Sequence, residues 1–337
     1  MLVLISAAAL ACAGLVHSEG LSAESASQEA IFDVHDDGTE VTYRVTWEGD
    51  AAEFGWLIPI PGTFVGLVDA DAARFDTLRE LTAPWVTWDE AYEDGTTGCG
   101  CGGAAKGGDG LREADNVAGG VTVVAEGFTG TYDFAVLQAD DPAAIATWLD
   151  DNGWSDGGTT PVLNTYADDG VLTLAALRLQ VSPSGDTADL PPITLSYTGG
   201  DVRFPSRMAQ VAMAPAVRTT VWVVDDGPSS TTGWVTERLD SILGDTTDDP
   251  VALLETELAS LAATAPTFAL TYVGEIDGRT VSRFDTLAAP GVHTVDAVFV
   301  PADSPDDLHL EIELVAGRSA ALGLLPLALL ALLRRRD

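Results

Sequence analysis

Lysine is almost missing from this chain of 337 residues: Lys106 is the only one, and the basic side chains number 16 against 52 acidic ones. The resulting net charge of -36 excludes nucleic acid as a partner, because phosphate binding needs a positive footprint. Histidine is scarce too, at His17, His35, His293 and His309 only, and no His-Glu-x-x-His zinc pattern occurs. His35, His293 and His309 read as strand or turn histidines. Also absent is a phosphate-binding Gly-Lys-Ser loop. The acidic residues include seven Asp-Asp pairs spread along the chain, with no Asp-x-Asp-x-Asp-Gly loop to converge them on calcium. Spread charge reads as a solvated surface suited to a salty medium. The sequence therefore assigns no catalytic residue, no cofactor and no metal site. Carboxylate pairs for a hydrolase stay open, since acidic residues are everywhere.

Cysteine is limited to Cys12, Cys99 and Cys101. The last two sit in Gly98-Cys99-Gly100-Cys101-Gly102-Gly103, inside a stretch from Glu93 to Gly120 where ten residues are glycine and no apolar period survives. This stretch is predicted to be a loop or linker. In an oxidising compartment a disulfide is the default, although a Cys99–Cys101 bridge would be strained. A redox role or soft-metal binding by the two thiolates are the sharper alternatives.

What the chain has in abundance lies at its ends. Leu2 to Ala11 has the length and small-residue finish of a secretory leader, so residues 1–19 are assigned as a signal peptide. Leu10-Ala11-Cys12-Ala13 loosely matches a lipoprotein cleavage box, which makes Cys12 a candidate for lipidation. At the other end Ala320 to Leu333 is apolar and is halted by Arg334, Arg335 and Arg336. Fourteen residues reach about 21 Å as a helix, short of the roughly 30 Å hydrocarbon core. Residues 316–337 are thus either a tail anchor or a sorting signal that is later removed. The positive-inside rule puts the three arginines in the cytoplasm before any processing and the acidic body outside.

Between the ends, 46% hydrophobic content supports a buried core. The fold class expected is α+β, strand-rich, with antiparallel or mixed sheets and a few capped helices. Val41, Tyr43, Val45 and Trp47 alternate at period two, and the turn at Gly49-Asp50 predicts a hairpin with Phe54 to Ile58. Further strands are predicted at 121–125, 132–137, 171–181, 193–197, 208–213 and 217–224, the one at 171–181 being apolar on both faces, as in a central strand. Asp141-Pro142 and Asp249-Pro250 each place a capping carboxylate before a proline, predicting helices with Ile145, Trp148 and Leu149, and with Val251, Leu254, Leu258 and Leu261, facing inward. A third helix is predicted at Asp71 to Leu81, with Phe75 and Leu78 buried. Residues 20–225 form one α+β unit, and 226–315, with Asp277-Gly278 as a turn, form a second lobe or an extension of the first sheet. Trp47, Phe54, Trp56, Trp85 and Trp88 are read chiefly as core, with Trp85 and Trp88, in a loop after Pro84, the better candidates for a carbohydrate or partner face.

Several blocks together resemble a known family. Cys12-Ala13-Gly14, Asp36-Asp37-Gly38-Thr39, Trp47-Glu48-Gly49-Asp50, Phe54 to Gly62, Phe75-Asp76-Thr77-Leu78, Tyr132 to Pro142, Trp148 to Trp154, and Leu195 to Gly200 before Pro205-Ser206-Arg207 are similar, in that order, to a bacterial envelope family known as domain of unknown function 2330. That family's glycine-rich cysteine segment is similar to Cys99 to Gly103. It tends to carry a second cysteine soon after the first, where this chain has Leu15, Val16 and His17. The resemblance implies an exported protein of unassigned activity. The functional expectation is a non-enzymatic binding or structural module of the cell envelope or surface, with an unknown envelope partner or ligand and membrane contact through the C-terminal segment if it is retained. The alternative is a cell-surface enzyme, either thiol-redox through Cys99 and Cys101 or a hydrolase with a carboxylate pair.

Overall fold

The computed structural model describes residues 15–17, 23–49, 53–89, 111–112, 116–118, 120–153, 159–170, 172–180, 188–209, 213–303 and 306–315. A ten-stranded mixed sheet organises them. Its path runs β17 (Val235–Arg238), β19 (Thr267–Ile276), β20 (Arg279–Ala288), β15 (Met213–Asp225), β2 (Ala23–His35), β3 (Gly38–Gly49), β13 (Ile193–Thr198) and β5 (Thr63–Asp69). β12 (Ala188–Asp189) lies beside β3, and β22 (Leu308–His309) beside β19. β15 is the join, parallel to β2 on one side and antiparallel to β20 on the other. Strands after residue 225 therefore add to the sheet that the first half of the chain begins.

Facing it is a seven-stranded antiparallel sheet: β1 (Leu15–His17), β4 (Glu53–Pro59), β11 (Thr173–Gln180), β10 (Asp133–Ala139), β9 (Val121–Phe128) and β7 (Leu111–Arg112), with β8 (Asn116–Ala118) also on β9. A small sheet of β14 (Val202–Phe204), β21 (Ala297–Pro301) and β16 (Ser229–Thr232) packs into the same interior through Phe299, whose ring meets Phe32, Phe268 and Phe284. Parallel strands β18 (Ser241–Asp245), β23 (Glu311–Val315) and β6 (Trp85–Asp89) make the last small sheet. Among the described residues there are five helices: α1 (Ala73–Leu81), α2 (Pro142–Asp151), α3 (Thr160–Asp168), α4 (Ser206–Ala209) and α5 (Pro250–Ala262).

Alternation along each strand sorts the core into layers. In β4, Trp56 and Ile58 enter the interior between the two large sheets, while Leu57 points the other way, under α2 and α3. β11 does the same, with Ala175, Leu177 and Leu179 inside and Leu174 and Ala176 under the helices, as a strand apolar on both faces should. On the ten-stranded sheet Phe32, Val221 and Phe284 face inward, whereas Ile31, Trp222 and Val281 face α1. The order is helices, sheet, sheet, helices, with the β18-β23-β6 sheet covering α5.

The two proline-started helices form as their caps dictate: Asp141 accepts from the Ala143 N–H and Asp249 from the Val251 N–H. α1 buries Phe75 and Leu78. Several expectations need correction. Residues 40–47 and 54–58 are not a hairpin. β3 pairs with β2 and β13, and β4 with β1 and β11, because their apolar faces meet across the sandwich, Tyr43 against the Trp56 ring edge at 6.0 Å. Of the strand expected at 208–213, Met208 and Ala209 belong to α4 and Met213 opens β15, with Met208 packed under α2 and α3, while residues 210–212 lie outside the described residues. Helix α3, started by Pro161, was not anticipated. Val251 is 58% exposed, since the first turn of α5 stands clear of the core. The glycine-rich stretch is not wholly loop: β7 and β8 fall within it. β1 lies inside residues 1–19, so cleavage at 19 would remove an edge strand.

Two glycines lock the layers at one corner. A Cβ on Gly200, which has φ 74, would lie 2.2 Å from the Pro61 carbonyl oxygen, and one on Gly62 would lie 2.3 Å from the Gly199 carbonyl oxygen. Gly153 has a similar φ of 80 but no atom of a described residue within 4 Å of its added Cβ. We expect Gly153→Ala to lose about 1 kcal/mol, the left-handed backbone cost, and Gly200→Ala to lose about 3 kcal/mol or more through the added clash. Equal losses in denaturant unfolding would show that the corner does not constrain the fold.

Candidate functional site: a polar cleft between two helices

Two helices sit side by side on the outer face of the ten-stranded sheet. α1 seats Phe75 and Leu78 on Ile31, Trp222, Val224 and Val281. α5 seats Leu254 and Leu258 on Ala269 and the β18-β23-β6 sheet. Between them opens a cleft of about 280 Å3. Arg79 of α1 and Glu255 of α5 line it from the two sides, over a floor that includes Ser27, Glu29, Arg218, Thr220, Trp222 and Arg283. Floor residues belong to the outward register of β2, β15 and β20, the positions between inward Ala30, Val221 and Phe284.

Under the floor is Asp285, fully buried. It accepts from Arg283 Nε at 2.8 Å and Nη2 at 3.1 Å, from Arg218 Nη2 at 3.0 Å, from the Thr220 hydroxyl at 2.8 Å and from the Thr271 hydroxyl at 2.7 Å. A register shift in β19 between Leu270 and Tyr272 accompanies the outward placing of Thr271. Burial alone would raise the Asp285 pKa. Arg283 and Arg218 overrule it and hold the carboxyl well below the usual range. Arg283 also donates Nη1 to the Thr82 carbonyl at 2.9 Å, and Trp222 Nε1 donates to the Thr82 hydroxyl at 3.0 Å, tying the end of α1 to the sheet.

A second cluster flanks the first. Glu29 accepts from Arg44 Nε at 2.6 Å and from Arg79 Nη2 at 2.7 and 2.9 Å, while Asp76 accepts from Arg44 Nη1 and Arg79 Nη1, both at 3.0 Å. Glu29 moves the other way from Asp285: burial raises its pKa and Arg44 offsets this only in part. Two carboxyls shifted in opposite directions are the usual mark of an acid–base pair. Here, however, both are already engaged by guanidiniums. The Glu29–Asp76 pair balances Arg44 and Arg79, whereas Asp285 faces two arginines alone, leaving one positive charge over. Arg218 Nε is buried with no partner, and Glu255, exposed on α5, has none among the described residues.

A further buried ion pair lies away from the cleft. Asp296 accepts from the Arg207 N–H and the Tyr166 hydroxyl, and Arg207 stacks over the Tyr166 ring at 4.2 Å, pinning α3 to α4. His293 is buried against Trp234, ring centroids 5.0 Å apart. Burial pushes its pKa down to about 4, against a weaker opposing contribution from the Ser206 backbone.

Cys12, Cys99 and Cys101 lie outside the described residues, as do Lys106, the leader before Leu15 and the apolar tail. Among the described residues no group of three His, Cys, Asp or Glu could hold a metal ion, and no helix is long and apolar enough to cross a membrane. Trp47 and Trp56 are core. Trp85 and Trp88 are 60% and 57% exposed, and they stand on strand β6 and not in a loop, with Trp85 stacked on His309 at 3.9 Å. Sequence reasoning missed Arg79, Arg218, Arg283, Glu29 and Glu255. One signal could have found three of the site's arginines. Arg44, Arg218 and Arg283 interrupt strand-like apolar runs in a chain poor in cations, and a buried charge must find a partner.

Taken together, these features define a strand-rich protein of layered sheets, with a polar, ion-paired cleft on its outer helical face. The chain belongs to the family described as "Uncharacterized protein conserved in bacteria (DUF2330)", whose profile matches residues 6–228. The match takes in β2, α1 and most of the cleft floor, and stops short of Glu255, Arg283 and Asp285. The blocks that carry the resemblance are largely architectural, since Pro61-Gly62 and Gly199-Gly200 form the glycine corner and Arg207 holds Asp296. No curated protein matches the chain. Its structure is similar to the crystal structure of baculovirus P35 at 9% identity and TM-score 0.33, covering 86% of this chain and 97% of that one. A mutated baculovirus P35 after caspase cleavage aligns at 8% identity and TM-score 0.28, covering 84% and 98%.

Replacing Arg283 by methionine leaves the Asp285 charge to Arg218 alone, and we expect a loss of about 3 kcal/mol in denaturant unfolding. Arg283→Met with Asp285→Leu should recover much of it; no recovery would show that Arg283 acts by packing alone. His293 gives a pH signature. Its folded pKa lies below the unfolded value, so the unfolded state binds the extra proton first, and stability falls as pH drops from about 6.5 towards 4. The loss approaches about 3 kcal/mol, and His293→Gln should remove that share of the acid sensitivity. An unchanged pH profile in the variant would refute the assignment.

Proposed function

We propose that this protein is an exported, non-enzymatic binding module of the bacterial cell envelope, and that the cleft between α1 and α5 is its ligand site. The observation that carries this reading is the state of the cleft's charged groups. Its arginines and carboxylates are held in place before any ligand arrives, a preorganised polar receptacle of the kind that lowers the ordering cost of binding. The same ties weaken the hydrolase reading. Glu29 and Asp285 have opposed pKa shifts, but each would have to shed arginines before it could attack or protonate a substrate. The thiol-redox reading rests on Cys99 and Cys101 alone.

Export is supported by the leader, by the apolar tail with Arg334 to Arg336, and by an acidic surface with a single lysine. Contact with a membrane runs through that tail if it is retained, and nucleic acid is not a partner. Because β1 starts at Leu15, processing is expected upstream of that residue, which suits a cut before Cys12 better than one at residue 19. Fractionation of the native host, with intact mass and N-terminal determination, tests this. The reading predicts an envelope or extracellular protein beginning at or before residue 14, whose behaviour is unchanged by Cys99→Ser with Cys101→Ser. A cytosolic chain retaining Met1 would contradict it.

A further inference from the structure

The charges around the cleft leave two groups unmatched, and they have opposite sign. Glu29 and Asp76 are balanced by Arg44 and Arg79. Asp285 is shared between Arg283 and Arg218, but unequally. Arg283 spends Nε and Nη2 on Asp285 and Nη1 on Thr82, so its guanidinium is used up. Arg218 gives Asp285 only Nη2, and its side chain, 23% exposed, lines the cleft floor with no second acceptor among the described residues. Across the cleft, Glu255 projects from α5 with no cation of its own among the described residues.

A guanidinium with an accessible edge and no second acceptor is a ready donor, and a charge-assisted bond to a carboxylate is among the stronger ones it can make. A simple anion would meet that need but would also face Glu255. A simple cation would suit Glu255 but would enter a space lined by Arg79, Arg218 and Arg283. A ligand carrying both charges satisfies each side and leaves the cleft neutral. The volume of about 280 Å3 suits a small molecule. Resting on the reading of this cleft as a ligand site, the geometry points to a small zwitterion of the amino-acid class as its ligand, with the carboxylate on Arg218 and the ammonium on Glu255. Thr220 and Trp222 line the floor beside them.

The test uses glycine, 4-aminobutyrate and 6-aminohexanoate as a ruler of charge separation, with acetate, methylammonium and inorganic phosphate as controls, in titration calorimetry and thermal shift. At least one zwitterion is expected to bind about tenfold or more tightly than acetate or methylammonium, and Glu255→Gln should weaken it by about tenfold without changing the unliganded melting temperature. Arg218→Met should weaken it as well, and because Arg218 also supports Asp285, the exposed Glu255 variant is the decisive one. Binding of phosphate or acetate that is insensitive to Glu255→Gln would overturn the zwitterion and leave a binding cleft standing. Absence of binding by every probe would overturn the zwitterion together with the site.

Discussion

A single buried carboxylate organises the outer face of this protein. Asp285 has no access to solvent and takes hydrogen bonds from Arg283, Arg218, Thr220 and Thr271, which belong to three adjacent strands. Burying a charge is tolerable only when it is paired and its oxygens are fully bonded, and here both conditions hold. The pairing reaches beyond the sheet. Arg283 goes on to the carbonyl of Thr82, so the C-terminal end of α1 is fixed by the same guanidinium that neutralises Asp285. Position of the helix, shape of the cleft and placement of Arg218 follow from it.

The cluster also joins halves of the chain that lie far apart in sequence. β2 and α1 come from the first hundred residues, β15 from the middle, and β19, β20 and α5 from the last third. Since β15 pairs with both β2 and β20, the cleft is assembled only when the late strands dock on the early ones. The family match ends at residue 228, so the floor contributed by β2 and β15 lies within it while Arg283, Asp285 and Glu255 lie outside. A ligand read by Arg218 and Glu255 thus draws on both the matched and the unmatched part of the chain.

Much of the fold was legible from local signals. The Asp-Pro pairs at 141–142 and 249–250 placed α2 and α5, the doubly apolar run placed β11 at the centre of its sheet, and Asp277-Gly278 became the β19–β20 turn, both residues with positive φ. Pairing was not legible. Tyr43 and Trp56 looked like two arms of a hairpin, yet they meet edge-on across a sandwich, because period-two patterning tells which face a residue takes and not which strand lies beside it. The site was hidden for the same reason. Nothing in the order of residues says that Glu29, Thr220 and Asp285 share one transverse row, which arises from the pairing of β2, β15 and β20. An equally unforeseen row lies on the inner face, where Gln28, Thr219 and Thr286 sit opposite one another with buried polar atoms that no described residue satisfies.

The claim that everything else leans on is that Asp285 is charged inside the protein and held so by two arginines. Carbon-13 NMR titration of its carboxyl in the folded protein reads this directly. The account predicts an ionised carboxyl with no titration step in the ordinary carboxylate range. A step at or above that range, as for a carboxyl kept neutral by burial, would contradict it.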